Sequence, residues 1–174
     1  AYLLNEGAPS SQPFWGAGLQ PAPPEGYDYD TINADVLLNR MTVSEHGRLT
    51  LPDGMSYRIL ALPQIDRIRP ELLRKIRLLV AGGAILVGPK PILSPSLQSG
   101  ADKADLEVRA LASEIWGDLD GIQRTRRFYG KGLVTWGLPL NEVLTLAGIS
   151  KDAEFAGPLD SSIAWIHRRQ GDTE

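Results

Sequence analysis

Apolar positions along the chain recur with two periods, and the points where one gives way to the other outline the elements. Ala1-Tyr2-Leu3-Leu4 opens as a short apolar run and predicts a strand. From Asp30, read as an N-cap, Ile32, Val36, Leu37 and Met41 recur at helical spacing until Thr42 and Val43 change the pattern, which predicts a first helix. Arg48 to Leu51 and Tyr57 to Leu62 read as extended segments on either side of the turn Pro52-Asp53-Gly54. Within the second, Ile59-Leu60-Ala61-Leu62 is apolar on both faces, which suits a parallel strand covered by helices on each side. Pro70 fits the first helical position. Leu72, Leu73, Ile76, Leu79 and Val80 then form one stripe, with Arg74, Lys75 and Arg77 opposite it. Gly82-Gly83 ends that helix and Ala84-Ile85-Leu86-Val87 follows as a buried strand, completing a βαβ unit.

Leu106 to Trp116 repeats the helical pattern and Gly117 closes it. Ile122 to Phe128 and Leu133 to Trp136 flank Tyr129-Gly130-Lys131-Gly132 and predict an antiparallel hairpin; Pro139 opens a last short helix ending near Gly148. Strands alternating with helices predict a three-layer α/β/α sandwich, flavodoxin-like in general form, with a mostly parallel sheet and one antiparallel hairpin. Ile163 to His167 reads as a further strand without a partner. Residues 1–160 are therefore expected to form one domain and 161–174 to lead into the next, the chain being a piece of a longer protein.

Residues 5–29 break both periods. Gly and Pro punctuate the whole stretch, so it predicts a long loop, of the kind that serves binding or interdomain contact. It carries Glu6, Phe14, Trp15, Tyr27, Asp28 and Tyr29, with Asp30 just beyond. Ligands of open α/β sheets gather outside the carboxyl ends of strands, and this loop leaves the carboxyl end of the first one. Aromatic faces with neighbouring carboxylates suit sugars; the same residues also suit a plug against a neighbouring domain, with Asp30 capping a helix and Asp28 holding a turn. Both uses stay open.

Composition narrows the chemistry. The 174 residues carry 18 Lys+Arg and 21 Asp+Glu, a net charge of −3, so no overall positive field exists to hold nucleic acid. The longest apolar stretch, Leu78 to Val87, is broken by Gly82-Gly83 and is too short for a membrane span. With no cysteine, thiolate metal sites and cysteine nucleophiles are excluded. The sandwich invites comparison with class I glutamine amidotransferases, but the turn that would carry their nucleophile is Gly88-Pro89-Lys90-Pro91, without Cys, Ser or Thr. Gly83 to Gly88 has the outer spacing of a P-loop and is followed by Pro89 where Lys belongs; Gly16-x-Gly18 lacks a third glycine. His46 and His167 are too isolated for a triad or a zinc site. Arg124, Arg126, Arg127 and Lys131 concentrate positive charge on the hairpin, where a solvated tip is the plain expectation. Trp116 and Trp136 are expected in the core. No residue is nominated as catalytic or as a metal ligand.

Several segments, taken in order, carry a resemblance. They are Asn5-Glu6-Gly7-Ala8-Pro9, Pro13-Phe14-Trp15-Gly16, Pro24-Glu25-Gly26-Tyr27-Asp28-Tyr29-Asp30, Ile32-Asn33-Ala34-Asp35-Val36-Leu37-Leu38-Asn39-Arg40, Leu51-Pro52-Asp53-Gly54-Met55-Ser56-Tyr57-Arg58, Tyr129-Gly130-Lys131-Gly132 and Trp165-Ile166-His167-Arg168-Arg169. In this order they resemble the domain that follows the catalytic barrel in bacterial α-L-rhamnosidases of glycoside hydrolase family 106. That domain looks like the amidotransferase-like fold which glycoside hydrolases reuse, including the trimerisation domain of some β-galactosidases. The resemblance implies a parent that hydrolyses terminal α-L-rhamnosyl linkages with inversion, assisted by calcium, through carboxylates on a barrel preceding Ala1. It further implies a β-sandwich after Glu174 and fits a secreted or periplasmic parent, although the chain leaves the compartment open. The expected role is therefore a non-catalytic domain supporting the barrel or walling its sugar site. Its partners would be neighbouring domains of the same chain; an independent carbohydrate-binding or oligomerisation module is the alternative.

Overall fold

The computed structural model describes residues 1–4, 18–95, 100–158, 163 and 165. Two-residue strands β1 (Tyr2–Leu3) and β2 (Thr31–Ile32) are followed by a π-helical turn, Val36–Arg40. Next come β3 (Thr42–Val43), β4 (Leu49–Thr50), β5 (Ser56–Tyr57) and β6 (Ile59–Ala61). Helix α1 (Pro70–Ala81), β7 (Ile85–Val87) and α2 (Ala101–Trp116) lead to the hairpin β8 (Arg126–Tyr129) and β9 (Gly132–Thr135), and α3 (Leu140–Leu146) follows.

The molecule is an α/β protein built on a mixed sheet of order β2-β1-β6-β7-β9-β8, in which every pairing is parallel except β8 with β9. Period-two alternation divides its side chains between the faces. Leu3, Leu60, Leu86 and Val134 point into one core with Leu37, the buried stripe of α1 and Val108, Ala112, Ile115 and Trp116 of α2. Tyr2, Ile59, Ala61 and Val87 point the other way, against Leu19 and Leu140, Val143 and Leu144 of α3. Helices thus cover both faces, two long ones on the first and a single short one with part of the 5–29 loop on the second. β3, β4 and β5 form a small separate antiparallel sheet.

Three element boundaries differ from the periodicity reading. The helix predicted from Asp30 is corrected: Thr31–Ile32 is a strand, in register with Tyr2–Leu3, because edge pairing satisfies Tyr2 N–H on Asp30 O (2.8 Å) and Leu4 N–H on Ile32 O (2.8 Å) while burying Ile32. The helical turn begins after Asn33, whose side chain accepts the Val36 N–H at 3.0 Å, so the cap is Asn33 and not Asp30. It widens to π geometry, with Met41 N–H reaching Val36 O at 3.0 Å. Helix α2 starts at Ala101, five residues before the apolar pattern, since Asp102, Lys103 and Asp105 give its first turn no apolar stripe to read. The hairpin starts at Arg126 rather than Ile122, because the Asp120 carboxylate accepts the N–H groups of Ile122, Gln123 and Arg124 (2.8–2.9 Å) and winds that stretch into a turn. The predicted exit strand falls outside the described residues apart from Ile163 and Trp165, whose ring lies 6.0 Å from that of Phe155.

Two core positions carry strong expectations. At Gly132 an added Cβ would run into the carbonyl oxygens of Val80 and Ala84, which belong to the backbone and cannot swing away. Gly132→Ala should cost about 2–3 kcal/mol in urea unfolding. Trp116 has no exposed surface and its Nε1–H donates to Gly88 O at 3.0 Å, tying α2 to the turn after β7. Trp116→Phe should lose about 2 kcal/mol by the same measurement, from the vacated volume and the orphaned carbonyl together.

Candidate functional site

Because β1 and β2 are parallel, the chain between them must travel from the carboxyl edge of the sheet to its amino edge. That crossing separates the loop into two chemical regions. Tyr27, Asp28 and Tyr29 immediately precede β2 and so lie at the amino ends of the strands, opposite the edge where the sequence placed them. Glu6, Phe14 and Trp15, the other residues singled out with them, lie outside the described residues.

At the amino edge a cleft of about 470 Å³ is lined by Tyr2, Tyr27, Asp28, Tyr29, Arg48 and Tyr57 among others. Its hydroxyls are largely committed. Tyr2 donates to Pro21 O (2.9 Å), Tyr27 to Ile149 O (3.1 Å) and Tyr57 to the Asp30 carboxylate (2.9 Å). Asp28 accepts the N–H of Tyr29 at 2.8 Å, which fixes a turn, and the rings of Tyr2 and Tyr29 meet edge to face at 5.6 Å. Gly26 O accepts two N–H groups, Asp152 at 2.7 Å and Ala153 at 3.2 Å, so the segment after α3 is stitched to the loop. Burial, with Tyr29 alongside, pushes the Tyr2 phenol up to about 12. Burial and the bond to Asp30 do the same for Tyr57, also to about 12. The Ala1 nitrogen donates to Ile59 O at 2.8 Å, in line with the β1–β6 ladder.

The carboxyl edge offers two different surfaces. Between β1 and β6 the crevice is closed by Leu4, Leu62, Pro63, Ile65, Pro89 and Pro91, leaving about 10 Å³. The turn after β7 points no nucleophile at it, and Lys90 Nζ donates to Gly117 O at 2.8 Å. Further along, a groove of about 680 Å³ runs over the ends of β7 and β9, where Gln20, Gln64, Asn141 and Trp136 line it. Trp136, expected in the core, is partly buried: it packs against the edge of the main core and on Gly121, where a Cβ would come within 2.8 Å of the ring, whereas Trp116 is fully buried. Sequence reasoning missed this group because its members come from four separated segments; the one local hint was an aromatic residue directly after a strand.

Among the basic residues of the hairpin, Arg124 pairs with Asp118 at 2.9 Å and Arg127 donates to Glu114 O at 3.2 Å, while Arg124 and Arg126 line one open groove together with Asp118 and Glu142. The Tyr129 hydroxyl and then Arg77 hold the Glu114 carboxyl below its ordinary range. His46 lies exposed at the β3–β4 turn, and His167 lies outside the described residues. No group of three or more His, Asp or Glu able to hold a metal ion occurs among the described residues. Nor is any described helix long and apolar enough to cross a membrane.

Comparison with known proteins bears on this geometry. The family model of glycoside hydrolase family 106, described as alpha-L-rhamnosidase, matches residues 1–174. A protein of Formosa agariphila, named provisionally as a beta-glucuronidase, is 35% identical over 151 residues, covering 86% of this chain and 11% of that protein. The solved structure of a rhamnosidase from Novosphingobium sp. PP1Y superposes with a TM-score of 0.77 at 26% identity, covering 98% of this chain and 16% of the other. The chain thus spans roughly a tenth to a sixth of the length of these relatives. Matched from its first residue to its last, the chain belongs to the glycoside hydrolase 106 family of alpha-L-rhamnosidases.

Proposed function

We propose that this chain serves as a non-catalytic α/β domain of a longer glycoside hydrolase, holding or walling a sugar site whose reacting carboxylates lie on another module. The observation that carries the reading is the crevice between β1 and β6. Counted along the chain, the five parallel strands run in the order 2-1-3-4-5, which supports a flavodoxin-like, amidotransferase-like classification. In such sheets the crevice beside the first strand is where ligands are bound and chemistry is done. Among the described residues it is lined by leucine, isoleucine, proline and Arg67, leaves about 10 Å³ and presents no carboxylate, histidine or hydroxyl. Glycoside hydrolysis needs two carboxyl groups flanking the scissile bond, and the carboxylates of the tyrosine cleft are engaged in holding the loop.

Under this reading the tyrosine cleft is a structural seat and an interdomain surface. Residues 1–160 form the domain and 161–174 lead toward the next. The parent hydrolyses terminal α-L-rhamnosyl linkages, and any calcium it uses is bound by the catalytic module.

Two measurements test the assignment. The purified 174-residue chain should release no nitrophenol from 4-nitrophenyl α-L-rhamnopyranoside above the buffer blank; turnover that disappears in Glu6→Gln or Asp28→Asn would overturn the reading. The structural use of the cleft should appear in alkaline unfolding. An unfolded tyrosine loses its proton near pH 10, whereas Tyr2 and Tyr57 keep theirs to about 12 in the folded chain, so their contribution is complete below pH 10 and lost as pH rises through 12. Tyr57→Phe should flatten the fall in stability between those values, followed by circular dichroism in urea at a series of pH values.

A further inference from the structure

We infer that this chain associates with a second copy of itself through β8, the two strands pairing antiparallel about a two-fold axis at Arg127 so that Arg126 of each copy lies on the Phe128 ring of the other. β8 ends the six-stranded sheet, with β9 as its one neighbour there. The bonds around β9 set the phase of this edge. Gly88 N–H donates to Thr135 O at 3.0 Å and Leu133 N–H to Ala84 O at 3.3 Å, so the backbone groups of residues 133 and 135 face β7; Trp136 N–H reaches Thr125 O at 2.9 Å, so the alternate residues serve the hairpin. Phe128 and Arg126 stand opposite Leu133 and Thr135. Their own N–H and C=O groups therefore point off the sheet, and no described group bonds to them.

Alternation sorts the side chains as well. Arg127 and Tyr129 lie on the α2 side, where Arg127 donates to Glu114 O at 3.2 Å and Tyr129 to the Glu114 carboxylate. Arg126 and Phe128 lie on the α3 side. There Phe128 ends a row of opposed apolar side chains, Ile59, Ile85, Leu133 and Phe128, drawn from neighbouring strands. Cover fades along the row: Ile59 is 9% exposed, Ile85 and Leu133 are half-buried and Phe128 is 77% exposed. Two residues along the same edge and face, Arg126 forms no ion pair with a described carboxylate, although it shares an open groove with Glu142. An uncovered ring and an unpaired guanidinium are complementary needs, which a second copy meets reciprocally. Register decides this. Pairing centred on Arg126 would oppose the two guanidinium groups, and pairing centred on Phe128 would leave Arg126 opposite Gly130. Centred on Arg127, Arg126 meets Phe128 twice in hydrogen-bonded pairs, which satisfies the outward N–H and C=O groups of both residues. The two Arg127 side chains approach on the opposite face, each turned away toward its own Glu114 O.

The test is sedimentation velocity of the 174-residue chain from about 10 μM to about 1 mM, a range suited to an edge too short to reach the roughly 1,600 Å² of a stable interface. The wild-type chain should pass from monomer to dimer across it. Phe128→Lys places an ammonium opposite Arg126 of the other copy and should weaken dimerisation by about tenfold or more, whereas Phe128→Glu places a carboxylate there and should dimerise at least as well as the wild type. The exchange Arg126→Glu/Phe128→Lys should restore what Phe128→Lys loses. All three variants change exposed side chains, and circular dichroism checks that the fold is kept. A general apolar patch would lose association with Lys and Glu alike, and an Arg126 that merely guards the edge would keep the chain monomeric throughout. A monomer at about 1 mM, equal losses in the two Phe128 variants, or no recovery in the exchanged pair would each overturn the inference.

Discussion

The parallel pairing of β1 with both β2 and β6 is the constraint on which the rest of this molecule depends. A parallel neighbour cannot be reached by a tight turn; the chain must return to the starting edge before pairing again. Between β1 and β2 that return is made by a long Gly- and Pro-rich stretch, with no helix among its described residues, and its two ends serve opposite edges of the sheet. Leu19 anchors it in the core beneath α3, Gln20 to Pro24 edge the groove at the carboxyl side, and Tyr27 to Tyr29 close the cleft at the amino side. Unpairing β2 from β1 would release all three at once.

Packing then divides the labour between the two faces. The face under α1 and α2 holds the larger core, sealed by Trp116 and by ion pairs such as Arg74 with Glu107 at 2.6 Å, which are exposed and add little by themselves. The face under α3 is thinner, and its cover is completed by tyrosines whose hydroxyls reach backbone carbonyls. A buried tyrosine needs such a partner, so the thin face acquires polar ties that a leucine-packed face would lack. Those ties account for the aromatic richness of residues 27–29 without any ligand.

The sheet has two edges, and side-chain satisfaction distinguishes them. At the amino edge most hydrogen-bonding capacity is spent internally. Beside β1 and β6 at the carboxyl edge, the described proline and leucine side chains leave about 10 Å³. Over β7 and β9 the described lining carries exposed carboxamides and no charged group.

Much of the fold was legible in the sequence because long elements bury enough residues to impose their period. The stripe of α1 and the doubly apolar β6 and β7 stand where spacing puts them, and the Gly-punctuated hairpin does so from Arg126 onward. Short elements were not legible: Thr31–Ile32 lies inside an apparent helical repeat, and a two-residue strand exists only because β1 offers it an edge. The sequence by itself determined composition-level chemistry, namely the missing thiols, the nucleophile-free turn at Gly88 to Pro91 and the family segments. Tertiary structure alone decided which polar groups are free. Whether a tyrosine hydroxyl is free or tied, and how far Trp136 is covered, depends on partners outside the local repeat, such as Ile149 for Tyr27 and Gly121 for Trp136, and local spacing carries no information about them.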